Sequence, residues 1–204
     1  MTSGAWVGID VGGRRKGYHV AVIDDDLRLV ELMRSGDADV VSRGLPERVR
    51  IVAIDAPAEW APPGEQSRPC ERLFAQSSMC GIRFTPDEAT AERRGDGYFE
   101  WIDCGLDLWA RLRQLGVPVV EGFPTASWTA WLGPRARSTR AAWTTRGLEW
   151  LRRQGVTGLD GVRNQDERDA VAAALTARQA VVAGATVVRF GVLVVPTAGS
   201  SPAA

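Results

Sequence analysis

The chain contains very little lysine, histidine or cysteine. Lys16 is the only lysine and His19 the only histidine among 204 residues, and 24 arginines carry the remaining positive charge. The three cysteines form no Cys-x-x-Cys pair. A structural zinc site needs four closely spaced cysteine or histidine ligands, so this composition argues against one and is typical of reduced thiols in the cytoplasm.

Long apolar runs are missing as well. No uninterrupted run reaches the roughly 20 residues that a membrane-spanning helix needs, and residues 1–5 lack the basic and apolar regions of a secretory signal. We therefore expect a cytoplasmic protein with no membrane partner. The formal net charge is zero, which excludes an overall basic field for nucleic acid but leaves room for a local basic patch.

The patterns that are present predict one mixed α/β domain over residues 1–196 and a flexible tail over 197–204. Residues 57–100 combine a proline-rich start with weak periodicity, which is typical of an insertion or a lid. The predicted strands are 5–11, 17–23, 27–33, 49–55, 117–121 and 186–195, the last as one strand or a bent pair. The predicted helices are 37–45, 102–115, 124–132, 144–154 and 166–183.

Two apolar runs each end in an aspartate, Asp10 after residues 6–9 and Asp55 after residues 51–54. Carboxylates at the ends of adjacent strands would lie about 5 Å apart. They could form an oxygen-lined site for a divalent metal ion. The ordinary alternative is capping of the turn that follows each strand; for Asp55 we favour the metal site, because two such strand ends coincide.

Three further acids extend this pattern. Glu121 ends a third apolar run, although a salt bridge to Arg111 or Arg113 would explain it equally well. Asp166 and Asp169 are three residues apart on one helical face, so both could point into the same site. Acids in the first turn of a helix also complement the helix dipole, which is the alternative for this pair.

Between residues 128 and 153 arginines are interleaved with tryptophans. A basic surface with exposed aromatic rings suits single-stranded or distorted nucleic acid. The alternative, which we favour, is that the tryptophans are core residues and the arginines are solvated. The residues are Arg135, Arg137, Arg140, Arg146, Arg152 and Arg153, with Trp128, Trp131, Trp143 and Trp150.

The order of the predicted elements resembles the ribonuclease H-like fold, and the acidic C-terminal helix resembles that of RuvC-type junction resolvases. Five short motifs resemble, more narrowly, the domain-of-unknown-function 429 family, whose members are regarded as predicted nucleases of that fold. The motifs are Gly8-Ile9-Asp10, Ile54-Asp55-Ala56-Pro57, Arg68-Pro69-Cys70-Glu71-Arg72, Glu121-Gly122-Phe123-Pro124 and the helix from Asp169 to Ala177. The resemblance covers about residues 5–195, with Glu71 standing where the family pattern has an aspartate.

This resemblance implies a mixed central sheet flanked by helices, with an insertion after the fourth strand, and a two-metal phosphodiesterase that acts on DNA or RNA. Asp10 would bridge two Mg²⁺ or Mn²⁺ ions. The implied catalytic residues are Asp10, Asp55, Glu121 and Asp169, and Asp166 joins them as a metal ligand. Lys16, Arg68 and Arg72 would bind substrate phosphate, with surface salt bridges an equal alternative for the two arginines.

Two other functions remain open. The loop from Gly8 to Gly13 also resembles the first phosphate loop of actin-like and sugar-kinase phosphotransferases. A fold of this kind can also serve as a noncatalytic nucleic-acid-binding module. Nucleotide binding with phosphate transfer would identify the former, and nucleic-acid binding without metal would identify the latter. The sequence leaves open whether the chain acts as a monomer or a homodimer.

Overall fold

The protein is built around one mixed sheet with helices on both faces. The computed structural model describes residues 4–135, 139–182, 187–197 and 199–200. The strands are β1 (Ala5–Gly12), β2 (Gly17–Asp24), β3 (Leu29–Ser35), β4 (Val49–Asp55), β5 (Val119–Gly122), β6 (Val187–Phe190) and β7 (Leu193–Pro196). The α-helices are α1 (Ala38–Arg43), α2 (Pro69–Gln76), α3 (Glu88–Arg94), α4 (Glu100–Gln114), α5 (Pro124–Leu132), α6 (Arg140–Arg153) and α7 (Gln165–Gln179).

The pairing of the central strands fixes where the acidic strand ends meet. The sheet order is β3-β2-β1-β4-β5-β7-β6. Strand β1 is antiparallel to β2 and parallel to β4, which is in turn parallel to β5. Asp10 therefore lies opposite His19 on one side and Asp55 on the other. Because paired residues point to the same face of a sheet, these three side chains share one face.

Helix α7 lies across that face at very short range. A Cβ atom built on Gly8 would lie 2.1 Å from the backbone oxygen of Ala170 and 2.1 Å from the backbone nitrogen of Ala174. Glycine in β1 and alanines in α7 are therefore what allow the helix to approach the strand so closely. A capping box formed by Asn164 and Glu167 begins the helix. On the opposite face, α4 contributes buried leucines and Trp109 to the core.

The predicted mixed α/β fold with a mixed sheet flanked by helices is confirmed. Within the predicted region 186–195, residues 187–195 form the bent pair rather than one strand, since β6 and β7 make an antiparallel hairpin. Gly191 turns this hairpin with a φ of +61°, which favours glycine. Helix α7 ends at Gln179, before the predicted end at residue 183, which together with residue 186 lies outside the described residues.

The segments around the sheet differ in detail from the prediction. Region 57–100 carries α2 and α3. Helix α6 begins at Arg140 instead of residue 144, because Thr139 caps it by accepting a hydrogen bond from the Ala142 amide. In the tail, the Gly199 amide donates to the Ala130 carbonyl at 2.9 Å, whereas residues 198 and 201–204 lie outside the described part. Among the described helices, none is long and apolar enough to cross a membrane.

The tryptophans are core residues, as favoured above. Trp128, Trp131 and Trp143 are buried. The Trp131 ring packs edge-on against the Trp128 ring, with 5.5 Å between the ring centroids, and stacks on the Trp150 ring, with 5.2 Å between the centroids. Their indole rings are thus used inside the protein and not as an exposed stacking surface. Arg137 of the basic stretch lies outside the described residues.

Candidate active site

Asp10 and Asp55 form the centre of the site. They end the neighbouring parallel strands β1 and β4 and are direct partners in the register. Their carboxyl groups are close enough to influence each other's protonation, and the charge of Asp10 raises the pKa of Asp55. Burial, followed by the charges of Asp169 and Asp166, raises the pKa of Asp10 to about 8.

The same causes act on Asp55. Burial raises its pKa well above the ordinary range, and the charges of Asp10 and Asp169 raise it further. Two adjoining carboxyl groups in a desolvated place cannot both ionise without a nearby positive charge. At neutral pH the metal-free pair therefore retains at least one proton. A cation bound between these two carboxyl groups would balance their negative charge in the same way.

Asp169 joins this pair from α7. Its Oδ1 atom accepts hydrogen bonds from the Trp128 indole at 2.8 Å and from Arg168 at 2.9 and 3.2 Å. Burial raises the pKa of Asp169, and the Arg168 guanidinium opposes that effect. The Asp169 carboxylate is therefore fixed in direction and charge-balanced by an adjacent cation.

Asp166 lies one turn earlier on α7, at the rim of the site. Its two oxygens accept hydrogen bonds from Lys16 Nζ, each at 3.0 Å. His19 Nε2 lies 3.8 Å from Asp166 Oδ2. Burial lowers the pKa of His19 while Asp166 opposes the change, so the imidazole is neutral near pH 7. An open groove of about 860 Å³ begins here, between Lys16, α6 and the start of α7.

Glu121 points away from α7. It pairs with Ile54 and not with Asp55 in the β4–β5 register. The next residue, Gly122, faces the helix, since a Cβ there would meet the Ala173 side chain at 3.8 Å. The charge of Glu121 still reaches Asp55. The structure therefore brings Asp10, Asp55, Asp166 and Asp169 to one side of the sheet and Glu121 to the other.

A buried ion-pair network holds both Glu121 and Arg68. Arg68, which is 1% exposed, donates to the two Glu121 oxygens at 2.6 and 2.7 Å and to Glu71 at 2.9 and 3.0 Å. Glu121 also accepts from the Ala58 amide at 3.1 Å. These contacts fasten region 57–100 to the end of β5 and enclose the Arg68 guanidinium inside the protein.

The other predicted phosphate ligands lie closer to solvent. Arg72 is partly exposed and binds Glu65 and the Ser67 carbonyl, the latter at 2.6 Å. Lys16 has about half of its side chain exposed and is the cation nearest to Asp166. Of the three predicted phosphate-binding residues, Lys16 is therefore the one that the structure places beside the carboxylate site.

Sequence reasoning missed three residues of the site: His19, Trp128 and Arg168. His19 carried a signal, because the short turn between Gly12 and Gly17 sets it opposite Asp10 in a hairpin. The contacts of Trp128 and Arg168 with Asp169 depend on how α5 and α7 pack together, for which the sequence carries no local sign.

The donor set suits a hard divalent cation, although it is not arranged around one. The described residues contain no group of three His, Cys, Asp or Glu side chains already placed to hold a metal ion. Arg168 and Lys16 bind Asp169 and Asp166, and burial together with mutual repulsion raises the pKa of both Asp10 and Asp55. Carboxylate oxygens are the ligands that Mg²⁺ and Mn²⁺ prefer. A bound cation would replace these positive charges at the Asp10–Asp55 pair first.

The comparison with known families covers nearly all of this site. A family model described as "Protein of unknown function (DUF429)" matches residues 8–192, a range that includes every acidic residue discussed above. No curated protein and no solved structure gave a significant match. Because this match covers well over half of the chain, the protein belongs to the DUF429 family.

Proposed function

We propose that this protein is a metal-dependent nuclease that hydrolyses phosphodiester bonds in DNA or RNA. Asp10, Asp55 and Asp169 would hold Mg²⁺ or Mn²⁺, and Asp166 would assist at the rim. The observation that carries the proposal is the convergence of these carboxyl groups, from distant parts of the chain, into one desolvated place where their charges raise each other's pKa. Such a place is costly to build unless a cation uses it.

The topology supports a ribonuclease H-like fold for this proposal. Strands β3-β2-β1-β4-β5 follow one another across the sheet with β2 antiparallel to its neighbours, and α7 packs across β1. The hairpin of β6 and β7 extends the sheet beyond β5.

The chemistry divides between the metal and the chain. When bound, the cations would lower the pKa of an attacking water and stabilise the leaving oxygen. The chain would supply Asp10 and Asp55 as ligands, and Trp128 would keep Asp169 aimed toward them. The ammonium group of Lys16 stands at the mouth of the groove, where it can bind substrate phosphate.

The test combines metal binding with turnover. Metal-free protein is titrated with Mn²⁺ by calorimetry and is then incubated with labelled linear and branched DNA and RNA. We expect saturable binding and Mn²⁺-dependent cleavage by the native protein, and neither by the Asp10→Asn variant. Asp26→Asn is the matched control, since Asp26 is an exposed aspartate at the opposite end of the β1–β2 hairpin. Equal cleavage by the native protein and Asp10→Asn would overturn the proposal.

The same assays separate the competing functions. Transfer of phosphate from a nucleotide, without cleavage of nucleic acid, would identify a phosphotransferase. Binding of nucleic acid that neither needs metal nor ends in cleavage would identify a noncatalytic module.

A further inference from the structure

His19 is a buried imidazole whose nitrogens lack hydrogen-bond partners. The residue is 5% exposed. Its Nδ1 atom is enclosed and has no partner among the described residues. Its Nε2 atom lies 3.8 Å from Asp166 Oδ2, which is beyond hydrogen-bond distance. Nε2 is the nitrogen that faces the Asp166 carboxylate, and because it makes no hydrogen bond there it is available to a ligand that the described residues do not provide.

The surroundings of His19 indicate a positively charged ligand. His19 is paired with Asp10 in the sheet, and the Asp166 carboxylate stands beside both. Asp166 already binds one cation, the ammonium group of Lys16. Because that side chain is about half exposed, the ion pair is weak and can be exchanged for another cation.

We propose that His19 Nε2 and Asp166 are ligands of a second divalent cation next to Asp10, and that His19 makes this position prefer a transition metal such as Mn²⁺ over Mg²⁺. The inference rests on the proposed function, because it places the second of the two cations. It adds a nitrogen ligand to a site whose other expected ligands are all oxygens.

Distance and donor chemistry both fit. First-row divalent ions bind imidazole nitrogen and carboxylate oxygen at roughly 2.0–2.2 Å, so donor atoms 3.8 Å apart can both reach one ion. Imidazole is a poor ligand for Mg²⁺ and a good one for transition metals. Lys16 would leave Asp166 when the ion binds and would then be free for phosphate.

The direct test is pulsed electron paramagnetic resonance of Mn²⁺ added to metal-free protein without a histidine tag, from half to two equivalents. Because His19 is the only histidine, modulation by an imidazole ¹⁴N nucleus identifies it as a ligand, and the modulation must change when the protein carries ¹⁵N-histidine. Mn²⁺ that binds and shows no such modulation overturns the inference.

Two variants extend the test to affinity. His19→Gln should lower the preference for Mn²⁺ over Mg²⁺, measured by competition calorimetry, by about tenfold. Lys16→Met leaves the fold untouched because Lys16 is exposed, and it should tighten Mn²⁺ binding about two- to fivefold by removing the competing ammonium group. Arg15→Met is the matched control, an exposed neighbour that makes no ion pair in the described structure. An unchanged affinity in Lys16→Met, or the same gain in Arg15→Met, contradicts the inference.

Failure of this inference can be told apart from failure of the proposed function. Mn²⁺-dependent cleavage without the ¹⁴N signal removes His19 as a ligand and leaves the nuclease in place. The ¹⁴N signal without any cleavage removes the nuclease and leaves the metal site. Absence of Mn²⁺ binding removes both.

Discussion

Replacing Asp10 by asparagine should make the metal-free protein more stable, and the gain should increase with pH. In the folded state the pKa of Asp10 is raised to about 8, chiefly by burial, from an ordinary value of 3.8. Folding therefore requires Asp10 to take up a proton whenever the pH lies between these values. The contribution of Asp10 to the stability of the native protein is therefore greatest below about pH 4 and is lost progressively as the pH rises through about 8. Asparagine is neutral at every pH, so it removes this requirement.

The size of the effect follows from the difference in pKa. Each pH unit in this interval costs the native protein about 1.4 kcal/mol of unfolding free energy, so the three units from about pH 5 to pH 8 set an upper bound of roughly 4 kcal/mol. Water reaches the partly buried Asp10, and the proton is shared with Asp55, both of which reduce the cost. We expect the gain of Asp10→Asn in unfolding free energy to be larger at pH 8 than at pH 5 by about 1–3 kcal/mol.

The assay is urea unfolding in EDTA, followed by tryptophan fluorescence at about pH 5, 6.5 and 8. Asp26→Asn again serves as the control. Because Asp26 is exposed, the free energy of unfolding of this variant should follow that of the native protein at each pH. Addition of Mn²⁺ should then make the native protein more stable than Asp10→Asn, since metal binding stabilises only a protein that retains Asp10. Parallel pH curves for the native protein and Asp10→Asn would refute the reasoning that Asp10 is a desolvated, protonated acid.

Two further predictions concern the framework of the site, both measured by urea unfolding. Gly8→Val should lower the free energy of unfolding by at least about 3 kcal/mol, because the valine side chain would meet the α7 backbone. Gly36→Ala is the control: a Cβ there has nothing within 4 Å, so its free energy of unfolding should stay within about 1 kcal/mol of the native value. Similar losses in both variants would contradict the close approach of α7. Arg68→Met should cost about 3–5 kcal/mol by leaving buried carboxylates unpaired, and adding Glu121→Gln should restore part of it. Arg72→Met is the control: it removes a partly exposed ion pair and should lower the free energy of unfolding by less than about 1 kcal/mol. If Arg68→Met lost no more than this, the ion-pair network around Arg68 would not be buried.

The central strands could be predicted from the sequence because each has a long apolar run with a clear end. Strands β1 and β4 run to Asp10 and Asp55, so the meeting of these acids follows once the strands are neighbours. Strand β5 has only four residues, too few to show which of its side chains face α7. Its register places Glu121 one residue short of Asp55. A shift of one residue moves a side chain to the other face of a sheet, which is why the sequence placed Glu121 with the other acids.

The contacts that hold the acids in place were beyond sequence reasoning for a different reason. Arg68 reads as a surface arginine because nothing in its neighbourhood shows that Glu121, 53 positions away, will enclose it. Arg168 stands between acids on a polar helical start, yet it is 3% exposed and bound to its neighbour Asp169. In both cases burial comes from packing between elements that are distant in the chain, so local polarity predicts exposure wrongly.

The metal-free site balances its negative charge in three different ways. Asp10 and Asp55 have raised pKa values and retain a proton, Asp169 is paired with the buried Arg168, and Asp166 is paired with the exposed Lys16. These substitutes differ in how easily a divalent cation can replace them. The proton dissociates as the pH rises, and the Lys16 side chain can move into solvent. Arg168, in contrast, would become a buried unpaired charge if its ion pair with Asp169 were broken. The first cation should therefore bind at Asp10 and Asp55 and the second beside Asp166, with Asp169 keeping Oδ1 on Arg168 and offering only its other oxygen.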